Sequence, residues 1–185
     1  MQTVNLNVSN VEAMISFIKT LYPWKRIEEN GTLKLWINDY TCIYGYNHTL
    51  NVGYRGTDID IGDYVGDITV YYDSNWLAVV SREHEYAIAV GITTDFDGVE
   101  NNGLVSSENG TLYAYFNVNN DITRFNQLYQ SIQQTQLVPI CCLKNNDRFT
   151  DIYRVNIDTT KYRHGVSTLN GEQCLFAKGI AIPIS

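Results

Sequence analysis

The stretch Asp58-Ile59-Asp60-Ile61-Gly62-Asp63-Tyr64-Val65-Gly66-Asp67 concentrates carboxylates beside glycines. On a strand Asp58 and Asp60 share one face, with Ile59 and Ile61 on the other. Two neighbouring carboxylates with glycine-permitted turns suit a hard cation such as Ca²⁺. Asp95 and Asp97, ahead of Gly98 and Asn101, offer a second loop of the same kind. Neither has the register of an EF-hand, which sets glycine sixth and a bidentate Glu twelfth. Asp58, Asp60, Asp95 and Asp97 are therefore the candidate metal ligands, set against the plainer reading of a solvated acidic rim.

Other chemistries find less. Glu83-His84-Glu85 has the residue types of a metal site, but strand neighbours point to opposite faces, so at most one Glu could join His84. His48, His84 and His164 are far apart in the chain. A thiol nucleophile would need Cys141, Cys142 or Cys174 beside a base such as His164. The apolar run Leu137-Val138-Pro139-Ile140-Cys141-Cys142-Leu143 would raise a thiol pKa rather than lower it. The sequence contains neither a Gly-x-Ser-x-Gly elbow nor a phosphate-cradling glycine loop. No catalytic residue and no cofactor is expected.

Composition narrows the class. At 185 residues the chain is expected to form one domain, 1–185, with a core of ordinary size. Its charged fraction of 18% is low for a soluble domain, and uncharged polar and aromatic residues take up the difference. Tyr occurs 14 times against 6 Phe, which suits half-buried strand faces and interfaces, because the ring buries apolar area while the hydroxyl stays wet. The net charge of −7 is uneven: residues 57 to 108 hold eleven acids against the single base Arg82. A nucleic-acid partner is not expected, since phosphate contacts need a basic stripe. The N-terminus lacks the order of a signal peptide and no apolar run approaches a membrane span, so neither secretion nor a membrane is expected. Cys42, Cys141, Cys142 and Cys174 lack CxxC spacing and are expected to be free thiols of a chain made in a reducing cytosol.

Positioning falls to strands and two helices. Val11, Met14, Ile15, Ile18, Leu21 and Tyr22 recur at helical spacing behind a Ser9–Glu12 capping box, and Pro23 stops the run, predicting a helix over about 10–22. A second is expected over 120–134, with Ile122, Phe125, Leu128, Tyr129 and Ile132 on one stripe. Elsewhere apolar residues alternate: Leu33, Leu35 and Ile37 against Lys34, Trp36 and Asn38; Ile68, Val70 and Tyr72 against Thr69 and Tyr71; Leu112, Ala114 and Phe116 against Tyr113 and Tyr115. Further strands are expected at 41–47, 50–55, 76–81, 86–92, 137–143, 152–157 and 174–184. Turn pairs such as Asn30-Gly31, Asn109-Gly110 and Asn170-Gly171 separate them. The fold class is mainly β (α+β): an antiparallel sandwich or barrel-like core with two packed helices.

Asp151-Ile152-Tyr153-Arg154-Val155, then Leu169-Asn170-Gly171-Glu172-Gln173-Cys174-Leu175-Phe176 and the Ile180–Ile184 finish, look like terminal strands of β-sandwich modules. With the acidic, Tyr- and Asn-rich texture of the whole chain, this resembles virion structural proteins of tailed bacteriophages, such as head auxiliary, fibre-anchor and portal or tail ring proteins. The resemblance implies a non-enzymatic subunit of a virion, made in the host cytoplasm, with partners among copies of itself or other virion proteins. Structured ends, from Met1 to the alternating run at Ile180–Ile184, are expected of a chain tied into an assembly. The basic segment from residue 141 onward would then face the acidic middle of a neighbour, with Arg148, Arg154, Lys161 and Arg163 as interface residues. The alternative is a carbohydrate- or receptor-binding β module, with or without Ca²⁺, stacking sugars on Trp24, Trp36, Trp76 or clustered Tyr.

Overall fold

The helix expected near the N-terminus forms, but its cap moves by one residue. In the computed structural model, which describes residues 2–72, 76–81, 83–84, 86–94, 100–108, 111–115, 137–145, 148–155, 164–169, 172–177 and 180–183, α1 spans Val11–Ile18. Asn10, not Ser9, is the N-cap. It sits in extended backbone and its Oδ1 accepts from the amides of Glu12 at 2.7 Å and Ala13 at 3.3 Å, two donors the helix itself leaves unpaired. The C-terminus also falls earlier than 22. Thr20 and Leu21 donate three residues back, to Phe17 and Ile18, in a tightened last turn ahead of Pro23.

The predicted stripe is the buried one: Val11, Met14, Ile15 and Ile18 are all at most 2% exposed. They pack on two strands, β1 at Gln2–Val8 and β4 at Thr41–Tyr46. Gly45 on β4 sets how close the helix can come. A Cβ there would lie 2.7 Å from the Glu12 amide nitrogen and 2.8 Å from the Val11 carbonyl carbon, so the two backbones meet with no side chain between them.

The remaining strands build two antiparallel sheets. The smaller is a five-stranded meander of β2 (Arg26–Glu28), β3 (Lys34–Trp36), β4, β5 (Thr49–Tyr54) and β6 (Thr57–Asp63) in chain order. The β5–β6 link is a two-residue hairpin turn, with Arg55 at φ 51° and Gly56 at φ 81°, which matches the twist of the flanking strands. The larger, eleven-stranded sheet starts from β1, β7 (Gly66–Tyr72), β8 (Trp76–Ser81) and β9 (Tyr86–Thr94). It continues through β12 (Leu137–Asn145), β13 (Arg148–Val155), β16 (Ile180–Pro183), β15 (Glu172–Ala177) and β14 (His164–Leu169). β10 (Glu100–Glu108) pairs with β9 and with β11 (Thr111–Tyr115). The helix expected over 120–134 lies outside the described residues.

Side chains from both sheets and from α1 join in one apolar cluster. Leu35, Ile43, Leu50 and Val52 of the small sheet meet Ile68, Val70, Leu77, Val79, Ile88 and Val90 of the large one around Met14, Ile15 and Ile18. Where β6 leaves the small sheet, Gly62 at φ 126° lies under the Tyr86 ring, whose carbons would stand 2.6–2.9 Å from any Cβ.

Two expectations change. β7 was expected to be half-buried, yet Thr69 and Tyr71 are as buried as Ile68 and Val70; Thr69 tolerates this because its hydroxyl donates to Asn5 Oδ1 at 2.9 Å. The single strand expected over 174–184 is instead the hairpin of β15 and β16. The two strands pair from Cys174 opposite Pro183 to Ala177 opposite Ile180.

Candidate functional site

Asp58 and Asp60 do share a strand face on β6, and both are exposed. Their oxygens have local work. Asp58 accepts a hydrogen bond from the Tyr44 hydroxyl, and Asp60 Oδ1 accepts from the Gly62 amide at 2.9 Å. Asp63 repeats the motif, accepting from the Val65 amide at 2.9 Å, with His84 Nε2 at 3.7 Å from the same oxygen. These short turns shape the chain as it leaves β6. Among the described residues, no three His, Cys, Asp or Glu side chains come together to hold a metal ion. Asp95 and Asp97 lie outside the described residues.

Of the remaining nucleophile and base candidates, those with described side chains do not converge; of Cys141, Cys142, His164 and Cys174 only the backbone is described. His84 donates its backbone amide to Ser81 Oγ at 3.2 Å, so the serine meets the main chain of the histidine there, and Ser81 is fully buried. Glu83 Oε1 accepts from the Asp67 amide at 3.3 Å. Cys42 is a free thiol, only 2% exposed, and burial pushes its pKa up, away from the reactive thiolate. Arg148 and Arg154 stand near the two ends of β13, where Arg148 pairs with Asn145 and Arg154 with Val138 and Ile180. Lys161 and Arg163 lie outside the described residues. No helix among the described residues is long and apolar enough to cross a membrane.

What the small sheet does assemble is a surface. Its core face is apolar; its other face is set by register. Arg26 pairs with Trp36, Trp36 with Cys42, Cys42 with Gly53 and Gly53 with Asp58, giving one row across the five strands. The neighbouring row carries Glu28 beside Lys34, and Tyr44 beside Asn51 and Asp60. The Arg26 guanidinium lies 4.4 Å from the centre of the Trp36 ring, and Lys34 Nζ 5.4 Å from that of Tyr44. At the β5–β6 turn Arg55 sits 5.0 Å over Tyr40 and 5.5 Å from Tyr54, and its amide donates to the Tyr40 carbonyl at 3.0 Å. Each cation is attracted by the ring quadrupole and holds its ring in place. Tyr44 is further fixed through its hydroxyl: desolvation and the bond to Asp58 push its pKa up to about 12, so it stays a neutral donor.

Gly53 gives this face its floor. A Cβ there would come within 2.8 Å of Cys42 Sγ, so glycine lets the thiol lie flat. At the β2–β3 edge a hollow of about 320 Å³ is lined by Lys25, Arg26, Trp36, Asn38 and Asp39, with Lys25 and Asp39 ion-paired at 2.7 Å. Its lining is more charged than the mostly apolar wall of a small-molecule pocket.

The sequence offered Trp36 and Lys34 as neighbours on one strand face, and Asp58 with Asp60 on another. Nothing local in it showed that Arg26 would stack on Trp36, or that Arg55 would fold back on Tyr40. Those meetings come from strand pairing. Of the three tryptophans proposed as sugar platforms, Trp76 is 1% exposed within β8, all six of whose residues are buried, so it serves the core. Trp24 packs edge-on against Tyr22 at 4.9 Å and donates Nε1 to the Ile18 carbonyl at 3.3 Å. Trp36 has Arg26 across its ring.

The molecule is thus a mainly β protein of two antiparallel sheets and a short helix, with an aromatic and charged face on the smaller sheet. Compared with known protein families, curated proteins and solved structures, the chain matches none.

Proposed function

We propose that this protein is a non-enzymatic structural subunit of a virion or similar large assembly, acting through contact with other subunits. The observation that carries the reading is the face of the small sheet, where Arg26, Lys34 and Arg55 are held over Trp36, Tyr44 and Tyr40. Arg, Tyr and Trp are the residue types that dominate protein interfaces, and rings already held in place lose little freedom on docking. The face also has a shallow direction: Arg26 and Lys34 outnumber Glu28, the ion-pair partner of Arg26, toward the β2 edge, and Asp58 and Asp60 lie on the β6 edge. A neighbour of opposite polarity is accepted in one orientation and rejected in the other, which suits a head-to-tail contact in a ring or shell. The two sheets sharing one apolar core, in the manner of a β-sandwich, give that face a rigid support.

The alternative, a carbohydrate- or receptor-binding module, draws on Tyr40 and Tyr46, whose exposures of 47% and 65% leave ring surface beside polar residues. It is weakened by the tryptophans, each of which is engaged within the chain.

Sedimentation velocity tests the reading. The wild-type chain is expected to form a defined oligomer that weakens as salt rises, because rim charges are screened over about 10 Å at moderate ionic strength. The double variant Arg26→Glu, Lys34→Glu should lose assembly by about tenfold or more in concentration while melting at nearly the wild-type temperature. A wild type that stays monomeric and binds an immobilised glycan would favour the alternative.

A further inference from the structure

The loop that joins β2 to β3 carries the pair Asn30-Gly31 at its centre. Both residues are exposed, as are Glu29 and Thr32 on either side. The loop is held at its ends, by the Lys19–Glu29 ion pair at 2.8 Å and by the start of β3 at Lys34. At its centre neither the Asn30 side chain nor the Gly31 amide has a hydrogen-bond partner. Gly31 is at φ 91°, and no atom lies within 4 Å of where a Cβ would stand. Glycine takes up such a backbone without steric cost and leaves its amide nitrogen unshielded. That nitrogen is therefore free to approach the side-chain carbon of the residue before it.

We infer that Asn30 is a modification site, converted to aspartate and isoaspartate by the chain's own Gly31 amide. The Gly31 nitrogen gives up its proton to the solvent and attacks Asn30 Cγ. The new N–C bond closes a succinimide ring, while the bond from Cγ to the side-chain nitrogen breaks and the nitrogen leaves as ammonia. Water then opens the ring. Addition at Cγ restores the ordinary main chain with aspartate at position 30, and addition at the main-chain carbonyl leaves isoaspartate, whose backbone runs through Cγ. Water is the one co-reactant, and nothing is oxidised or reduced. The reaction involves no partner, so it stands whether or not the chain assembles.

The fold selects this position over the same dipeptide elsewhere. In Asn102-Gly103 the glycine is buried within β10, opposite Gly91 in the unbroken β9–β10 ladder. A nitrogen fixed there reacts only when the strand opens, and strands in a core open rarely. Asn109-Gly110 and Asn170-Gly171 lie outside the described residues. The β2–β3 loop also has room for the product. Gly31 and Thr32 line a hollow of about 390 Å³ that Glu12, Ile15 and Ser16 of α1 line as well. Isoaspartate adds a methylene to the main chain, which the hollow on one side and solvent on the other take up.

Incubating the folded protein in water carrying heavy oxygen, followed by peptide mapping with electron-transfer fragmentation, is the test. Cleavage after Lys and Arg isolates residues 27–34, in which Asn30 is the single asparagine. That peptide should gain labelled acid in both aspartate and isoaspartate forms, about tenfold or more faster than Asn102 does. The rate should climb with pH, because the attacking nitrogen must lose its proton. In urea the gap between Asn30 and Asn102 should close, which shows that the fold and not the dipeptide sets it. Asn30→Gln, which would need a larger and slower-closing ring, should stay amidated and melt at nearly the wild-type temperature. An Asn30 that keeps its amide in the folded protein, or that reacts no faster than Asn102, would overturn the inference.

Discussion

Replacing Gly45 by alanine is expected to cost about 2–4 kcal/mol of stability, although it adds only a methyl group. The backbone at Gly45 is not in the left-handed region, so conformational freedom is not what glycine supplies. By itself, alanine in such a strand position would help slightly, by restricting the unfolded chain. Space decides the sign. The new Cβ would stand 2.7 Å from the Glu12 amide nitrogen and 2.8 Å from the Val11 carbonyl carbon, both main-chain atoms at the start of α1. A flexible side chain could swing aside; a capped helix start cannot, because Asn10 pins the amides of Glu12 and Ala13. The helix must therefore lift off β4 and loosen Val11, Met14 and Ile15 with it. Urea unfolding followed by circular dichroism reads this directly, and a Gly45→Ala protein as stable as wild type would refute the close approach of α1 to β4.

Ile15→Ala is expected to be of similar size, about 2–5 kcal/mol, for a different reason. Ile15 is fully buried in the cluster shared by both sheets. Removing its side chain loses transfer free energy and leaves a void that walls from three elements cannot easily close. An eight-residue helix is too short to persist without packing, so the loss should appear as helix signal disappearing with the global transition. A cost under about 1 kcal/mol would mean that the stripe is not a core element.

The helix stripe and the antiparallel β class were legible because each is a period in the sequence, 3.6 for α1 and 2 for the strands. The strand at 76–81 was found in full, and turn pairs such as Asn109-Gly110 and Asn170-Gly171 do fall between paired strands. The cap was harder, since Ser9 and Asn10 are equally good caps and only the backbone geometry chooses between them. Trp76 could not be assigned to core or surface from its neighbours, because burial on both faces depends on which strands flank β8.

The candidate site shows the same limit. Asp58 and Asp60 were placed on one strand face correctly, yet their use follows from partners that face does not reveal: Tyr44 across the sheet for Asp58, and for Asp60 the Gly62 amide two residues on. Arg26 and Trp36 are ten positions apart and meet only once the β2–β3 register is set. Gly45 and Gly53 drew no notice in the sequence, yet in the fold they make room, one for a helix backbone and the other for a thiol.

Hydroxyl-radical footprinting of the protein at dilution and under assembly conditions tests most directly whether the small-sheet face is a subunit contact. Trp and Tyr side chains are reactive, and Trp36, Tyr40, Tyr44 and Tyr46 sit on or beside that face, Tyr46 at 65% exposure. Protection of these four on assembly, with buried Trp76 unreactive in both states, is the expected result. Assembly into a defined oligomer with Trp36, Tyr40, Tyr44 and Tyr46 as reactive as in the dilute chain would contradict it.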